Sequence, residues 1–209
     1  MTSPELFIAF LGAAAVFAFM PGPAMLYAAA QTLAQGRRAG LMATLGIHLG
    51  GYVHVILAAL GLAALLAAVP ALYLAVKLGG AAYLIWLGIT MILTRKIGGD
   101  MPRLAPRSPR RAFLDSVAVE VLNPKAATFF VAFLPQFADA AAATPVWAQL
   151  LILGTIVNVM FGVADLVCVF LAGAVEGRVR RSAGAMVWAR RIGGSILVAL
   201  GLNLALKRA

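Results

Sequence analysis

The chain has 209 residues, 63% of them hydrophobic and 11% charged, with a formal net charge of +10. A soluble domain carries roughly 25% charged residues, so this composition describes a multi-pass membrane protein with no room for a sizeable soluble domain. One cysteine, Cys168, and two histidines exclude a disulfide framework, a CxxC redox pair and an ordinary structural zinc site.

A helix needs about 20 apolar residues to cross the hydrocarbon core. Six segments meet that length, so the expected fold is all-α with six transmembrane helices in a single domain over residues 1–209. Span 1 runs from about Leu6 to Leu33. It carries Glu5 in place of a basic n-region and continues past Pro21-Gly22-Pro23, which marks a retained span and not a signal peptide. Span 2 runs from about Ala39 to Val69, and span 3 from Pro70 to about Leu93. A loop rich in Arg, Gly and Pro follows at 94–111. Span 4 covers about Ala112 to Phe133, span 5 Pro145 to about Val175, and span 6 Ile192 to about Leu206.

The excess positive charge is a topology signal and not a nucleic-acid one. Thirteen Lys and Arg fall in the gaps after spans 1, 3 and 5, while only Lys207 and Arg208 flank the other face. The positive-inside rule then puts the basic loops in the cytoplasm and both termini outside, in a bacterial inner membrane. The same loops meet anionic lipid.

Spans 1 and 4 carry prolines in their interiors, in Met20-Pro21-Gly22-Pro23 and in Leu122-Asn123-Pro124-Lys125. An interior proline removes a donor and clashes with the preceding turn. Inside a bilayer, broken backbone survives where protein buries it or where it lines a wet cavity. Six spans divide as three plus three, and an odd repeat inverts its second copy. Aligning Pro23 with Pro124 sets the two breaks at equivalent points, the arrangement that places a transporter's site at the midplane.

Charged residues within spans are costly and face a cavity or a partner. Glu120 lies about eight residues from the inner end of span 4, roughly 12 Å deep, and Asp165 lies roughly 15 Å deep in span 5. Lys125 falls near the midplane. Glu120 either pairs with Lys125 or carries a proton or a substrate ammonium. Asp165 either carries a proton or pairs with a polar neighbour such as Asn158. Asn123 either satisfies backbone freed by the break or binds substrate. His48 and Tyr52, four apart, share a helix face. His48 and His54 do not, so the histidines form no ligand pair. Gly46 and Gly50 make a GxxxG in span 2, suited to packing within the bundle or to a homodimer seam.

Half-helix N-termini offer amides to a carboxylate, and half-helix C-termini offer carbonyls to a cation. A zwitterion uses both, which suits an amino acid. The substrate set is therefore Pro21, Gly22, Pro23, Glu120, Asn123, Pro124, Lys125 and Asn158, with Glu120 and Asp165 for proton coupling. A metal or cation transporter using the carboxylates and histidines is the alternative. No cofactor is expected, and no nucleophile–base set indicates an enzyme.

Several stretches together resemble the LysE/RhtB family. They are Met20-Pro-Gly-Pro23, Gly36-Arg-Arg-Ala-Gly40, the run Lys77–Gly88, Leu122-Asn-Pro-Lys-Ala126 with Phe129-Phe130, Pro135-Gln-Phe137 and Leu200–Ala205. The resemblance covers nearly the whole chain. It implies a six-span inner-membrane exporter of amino acids, driven by the proton motive force. Glu120 departs from the family pattern, which has a neutral polar residue, often Asn, at that position.

Overall fold

A computed structural model of the chain describes residues 4–62, 64, 70–93 and 109–175, with 191–192, 194–195, 198–199, 201–202 and 205–206. Expectations for the loops at 94–108 and 176–190 and for the end of span 2 at 65–69 lie outside the described residues. Among the described residues every regular element is helical.

The helices are α1 (Pro4–Ala18), α2 (Pro23–Gln35), α3 (Arg37–Ile56, running on as a π-helical turn over Leu57–Leu62) and α4 (Pro70–Leu93). Then come α5 (Pro109–Val121), α6 (Pro124–Thr128, extended by a π turn to Phe133 and a 3₁₀ turn to Phe137) and α7 (Val146–Val175). Five of these seven begin at a proline. The first turn of a helix has no intrahelical use for the N–H that proline lacks, and the ring presets φ. Gly36 alone separates α2 from α3. Its φ of 85° is a left-handed conformation that favours glycine, and its N–H closes α2 on the Thr32 carbonyl at 2.8 Å.

α3 is the post around which the other helices stand, because its glycines leave no side chain in the way. A Cβ at Gly46 would overlap Ser116 Oγ and the Phe113 carbonyl, and one at Gly50 would lie 2.9 Å from the Val117 carbonyl. α3 and α5 therefore run parallel in close contact. On other faces, Gly40 meets Val169 and Gly51 meets Asn158, so α7 runs antiparallel to α3. The GxxxG is consumed by packing inside the bundle. It is not available as a homodimer seam, because α5 already occupies the groove.

Two ends of the bundle differ in chemistry. Arg37, Arg38, Arg110 and Arg111 are exposed at the starts of the parallel pair α3 and α5, hence at one end. Toward the other end, α1 packs antiparallel to α6 through buried phenylalanines. Phe17 lies on Phe129 at 4.4 Å between ring centroids, Phe129 on Phe133 at 4.4 Å, Phe133 on Phe137 at 4.8 Å, and Phe10 closes on Phe137 at 5.2 Å. α4 pairs antiparallel with the last helical residues, Gly88 against Gly194 and Val198, and Gly201 against Ala81 and Ile85.

Among the described residues three helices are long and apolar enough to cross a membrane: Arg37–Leu62, Arg110–Phe137 and Val146–Ala172. The pair α1–α2, bent by 47°, makes a fourth if it is one span. Span 4 thus starts earlier than expected from sequence, near Arg110 instead of Ala112.

If α3 packs through its glycines, Gly46→Val forces Ser116 and the Phe113 carbonyl aside and costs about 1–3 kcal/mol. Gly12, with open space where its Cβ would stand, should accept alanine with a gain of about 0.5–1 kcal/mol. Thermal unfolding in detergent reads both. Equal melting temperatures for Gly46→Val and the unaltered protein would contradict the packing account.

Candidate functional site

At the end of α1 carbonyls lose their usual donors, since Pro21, four residues after Phe17, has no N–H and the Met20 carbonyl lies at the bend before α2. Lys125, from the start of α6, supplies them. Its Nζ donates to the Phe17 carbonyl at 3.0 Å and to the Met20 carbonyl. The ammonium also lies 4.8 Å from the Phe17 ring centroid and 5.8 Å from that of Phe161, within cation–π range. A cation at the C-terminal end of a helix complements its dipole as well. Gly22 makes the crossing possible: a Cβ there would stand 2.6 Å from Lys125 Cδ. The two proline segments, about a hundred residues apart in sequence, are in contact.

The second interruption is milder than the first. Between α5 and α6, Asn123 takes an extended conformation, φ −73° and ψ 108°, and its Oδ1 accepts the Lys125 N–H at 3.0 Å. Its Nδ2 donates to Glu120 Oε2 at 2.9 Å. Its carbonyl accepts the Ala127 N–H. These bonds carry the chain across the gap closely enough in line that Arg110–Phe137 still passes as one 28-residue span. The expectation of two matching breaks is corrected in this respect: span 1 bends, and span 4 is stitched together by Asn123. The Glu120 carbonyl, freed at the end of α5, accepts from Asn123 N at 3.0 Å and from His54 Nε2 at 2.8 Å. The His54 ring stacks on Phe130.

Between the two interruptions lies a cavity of about 30 Å³ lined by Gly22, Glu120, Asn123, Lys125, Asn158 and Asp165, together with His48, Phe161, Gly162 and the first-turn residues Ala24 and Met25 of α2. Glu120 is 3% exposed and Asp165 5%, so both carboxylates belong to the interior of the bundle. Six residues singled out from the sequence meet here. Pro21, Pro23 and Pro124 do not line the cavity. All three are exposed; Pro23 and Pro124 begin α2 and α6, and Pro21 lies between α1 and α2 with no N–H to offer α1.

Two sequence alternatives resolve. Lys125 forms no ion pair with Glu120, because its ammonium is drawn to the carbonyls of α1 and Glu120 is held by Asn123 instead. Asn158 does not bond Asp165. Its Nδ2 donates to the His48 carbonyl at 3.0 Å, tying α7 to α3. Among the described residues no side chain hydrogen-bonds to Asp165, which leaves its carboxylate facing the cavity.

The LysE type translocator profile matches residues 15–208. The chain belongs to the LysE family. Within it, the chain is 32% identical over 210 residues to an uncharacterized membrane protein of Vibrio cholerae, covering 98% of each chain. It is 34% identical over 140 residues to a leucine efflux protein of Klebsiella pneumoniae, covering 66% of each. To a homoserine/homoserine lactone efflux protein of Salmonella typhimurium it is 32% identical over 152 residues, covering 72% of each. No solved structure matches the chain.

In this LysE-family chain the sequence placed His48 in a site only under the cation alternative, and it did not mark Phe17 and Phe161 as the rings around Lys125. The spacing of Phe129, Phe133 and Phe137 at every fourth residue was the signal for the aromatic column. Nothing in the sequence singled out Phe161, which reaches Lys125 only through the packing of α7.

Lys125→Met keeps the stem and removes the donors, leaving the Met20 carbonyl without its Lys125 bond and the Phe17 carbonyl with the Met20 N–H alone. The expected loss is about 1.5–3 kcal/mol, read as a lower melting temperature in detergent. Lys125→Met melting with the unaltered protein would show that the carbonyls find donors without it.

Proposed function

We propose that this chain is a secondary exporter of amino acids or their close derivatives across the bacterial inner membrane, coupled to protons. The observation that carries the reading is the contact of the two proline segments through Lys125, around a cavity holding two carboxylates. The names of the Klebsiella and Salmonella relatives support amino-acid efflux. The enclosed polar site between helices of a LysE-family chain fits a carrier.

The architecture behind the reading is six spans in a 3+3 inverted repeat. α1 and α6 run antiparallel and meet at their proline ends, the relation that inverted copies of one span have across a midplane site. The arginines at the common end of α3 and α5 support a cytoplasmic placement of that end.

A zwitterion fits the chemistry of the walls. Glu120 and Asp165 receive the α-ammonium. The amides of Ala24 and Met25, in the unbonded first turn of α2, receive the carboxylate. Lys125 has three donors and spends two on α1, so one remains for the carboxylate. Two carboxylates allow one to carry a proton while the other holds the ammonium. Toward the arginine end, α2 presents a polar file in which Gln31 Nε2 donates to Tyr27 Oη at 2.8 Å and Gln35 donates to Gln31. Toward the other end the phenylalanine column shuts the cavity. In this conformation the phenylalanine column closes the outer side, and the buried Tyr27 and Gln31 close the arginine side with polar groups. The metal or cation alternative has no observation in its favour, since among the described residues no three His, Cys, Asp or Glu side chains gather to hold an ion.

Reconstituted in liposomes, Asp165→Asn and Glu120→Gln should each reduce proton-gradient-driven amino-acid efflux roughly tenfold or more, about 1.4 kcal/mol of barrier. The one that carries the proton should retain counterflow, which needs no net proton movement. Full gradient-driven efflux in the double variant would remove the assigned role of both carboxylates. In a Cys168→Ser background, a cysteine in place of Arg38 should react with a membrane-impermeant maleimide only from the cytoplasmic face. Labelling from outside would invert the orientation.

A further inference from the structure

The central cavity is too small for the whole of an amino acid. About 30 Å³ admits roughly two waters, an order of magnitude below the ~300–1,000 Å³ of ordinary small-molecule sites. A second pocket of about 300 Å³ adjoins it between α3 and α7. His48 and Gly162 line both, so they form the partition. The partition is thin: a Cβ at Gly162 would stand 3.0 Å from His48 Nδ1.

The walls of the second pocket are mostly apolar, with Leu45, Val163 and Leu166 exposed on the flank of the bundle. That flank faces lipid in a spanning bundle, where an aliphatic group meets no desolvation penalty. The pocket also holds an anomaly. Among the described residues two buried side-chain polar atoms lack a hydrogen-bond partner, Thr44 Oγ1 and His48 Nδ1, and both residues line it. Thr44 is only 4% exposed. Unpartnered buried polar atoms call for an explanation, and a guest group that enters at the root of the pocket is one.

We propose that the lateral pocket between α3 and α7 receives the side chain of the transported amino acid, and that His48 and Gly162 form the doorway between it and the polar site. The inference rests on the exporter reading and extends it to substrate class. The ammonium and carboxylate sit in the central cavity, and the side chain passes His48 into an apolar space. The substrates so selected are neutral amino acids with an aliphatic side chain of three or more carbons. A hydroxyl near the start of the side chain would partner Thr44 and His48 at the root of the pocket, and a plain aliphatic side chain leaves both as they are. Because His48 and Gly162 wall both spaces, the substrate, and not a lipid acyl chain, is the occupant.

The test is counterflow of labelled leucine and labelled alanine by the full-length protein in liposomes. Two variants narrow the pocket from opposite walls, Val163→Phe on α7 and Leu45→Phe on α3, each checked by gel filtration. The readout is the leucine-to-alanine ratio of kcat/KM. It should fall roughly tenfold or more in either folded variant, the scale on which a hydrophobic pocket discriminates small changes in volume. A ratio unchanged in both overturns the proposal. So does an unchanged ratio with less co-purified phospholipid in the variants, which would assign the pocket to lipid. If the unaltered protein moves neither amino acid nor any other in a panel, the exporter reading falls first and this inference with it.

Discussion

A lysine side chain reaching across the bundle to two main-chain carbonyls is the interaction on which the site depends. Helix α1 stops inside what would be the hydrocarbon, and the amides that should have closed its last turn belong to prolines or lie beyond the bend. Water cannot serve there, and each unsatisfied carbonyl costs energy. A charged residue at membrane depth is also costly, at least about 2.5–3.5 kcal/mol. The two liabilities offset each other. The ammonium receives carbonyl oxygens, the negative end of a helix dipole and the faces of Phe17 and Phe161. Because Lys125 belongs to the other half of the chain, satisfying α1 also fixes the relative position of the two halves.

Around that contact the packing is graded by side-chain size. Glycines on α3 let the α5 backbone approach closely and receive the α7 side chains Val169 and Asn158, and Glu120, Asn158 and Asp165 come to wall one cavity. Where the chain needs a seal, it uses phenylalanine. The column from Phe17 to Phe137 fills the space between α1 and α6 without a polar atom. On the arginine side, alanines and the Tyr27–Gln31–Gln35 ladder take its place. The difference between the two sides of the cavity is therefore one of volume and polarity. A carrier needs such an asymmetry if one side is to open while the other stays shut.

Asn123 and His54 show how few polar groups are spare. One amide caps α6, bridges to Glu120 and keeps span 4 in line. One imidazole satisfies the carbonyl that α5 leaves behind. Against this economy, the unpartnered atoms of Thr44 and His48 stand out, as does the carboxylate of Asp165 on the cavity wall.

The sequence by itself determined the membrane class, from 63% hydrophobic and 11% charged residues, because such a chain has too little polar surface to meet water. It determined where helices begin, since proline is tolerated in the first turn and excluded from the interior. The costly intramembrane residues Glu120, Lys125 and Asp165 were legible for the same reason: nothing else explains a charge in an apolar run. Family membership followed from motifs spread along the chain. Only the tertiary structure decided which partner each polar group takes. Glu120 with Asn123, Lys125 with α1, Asn158 with the His48 carbonyl and the GxxxG with α5 are choices among groups far apart in sequence. Helical periodicity fixes the face on which a side chain lies, but the neighbour it meets depends on crossing angle and depth. Those are set by the summed packing of all the helices and leave no mark in any one segment.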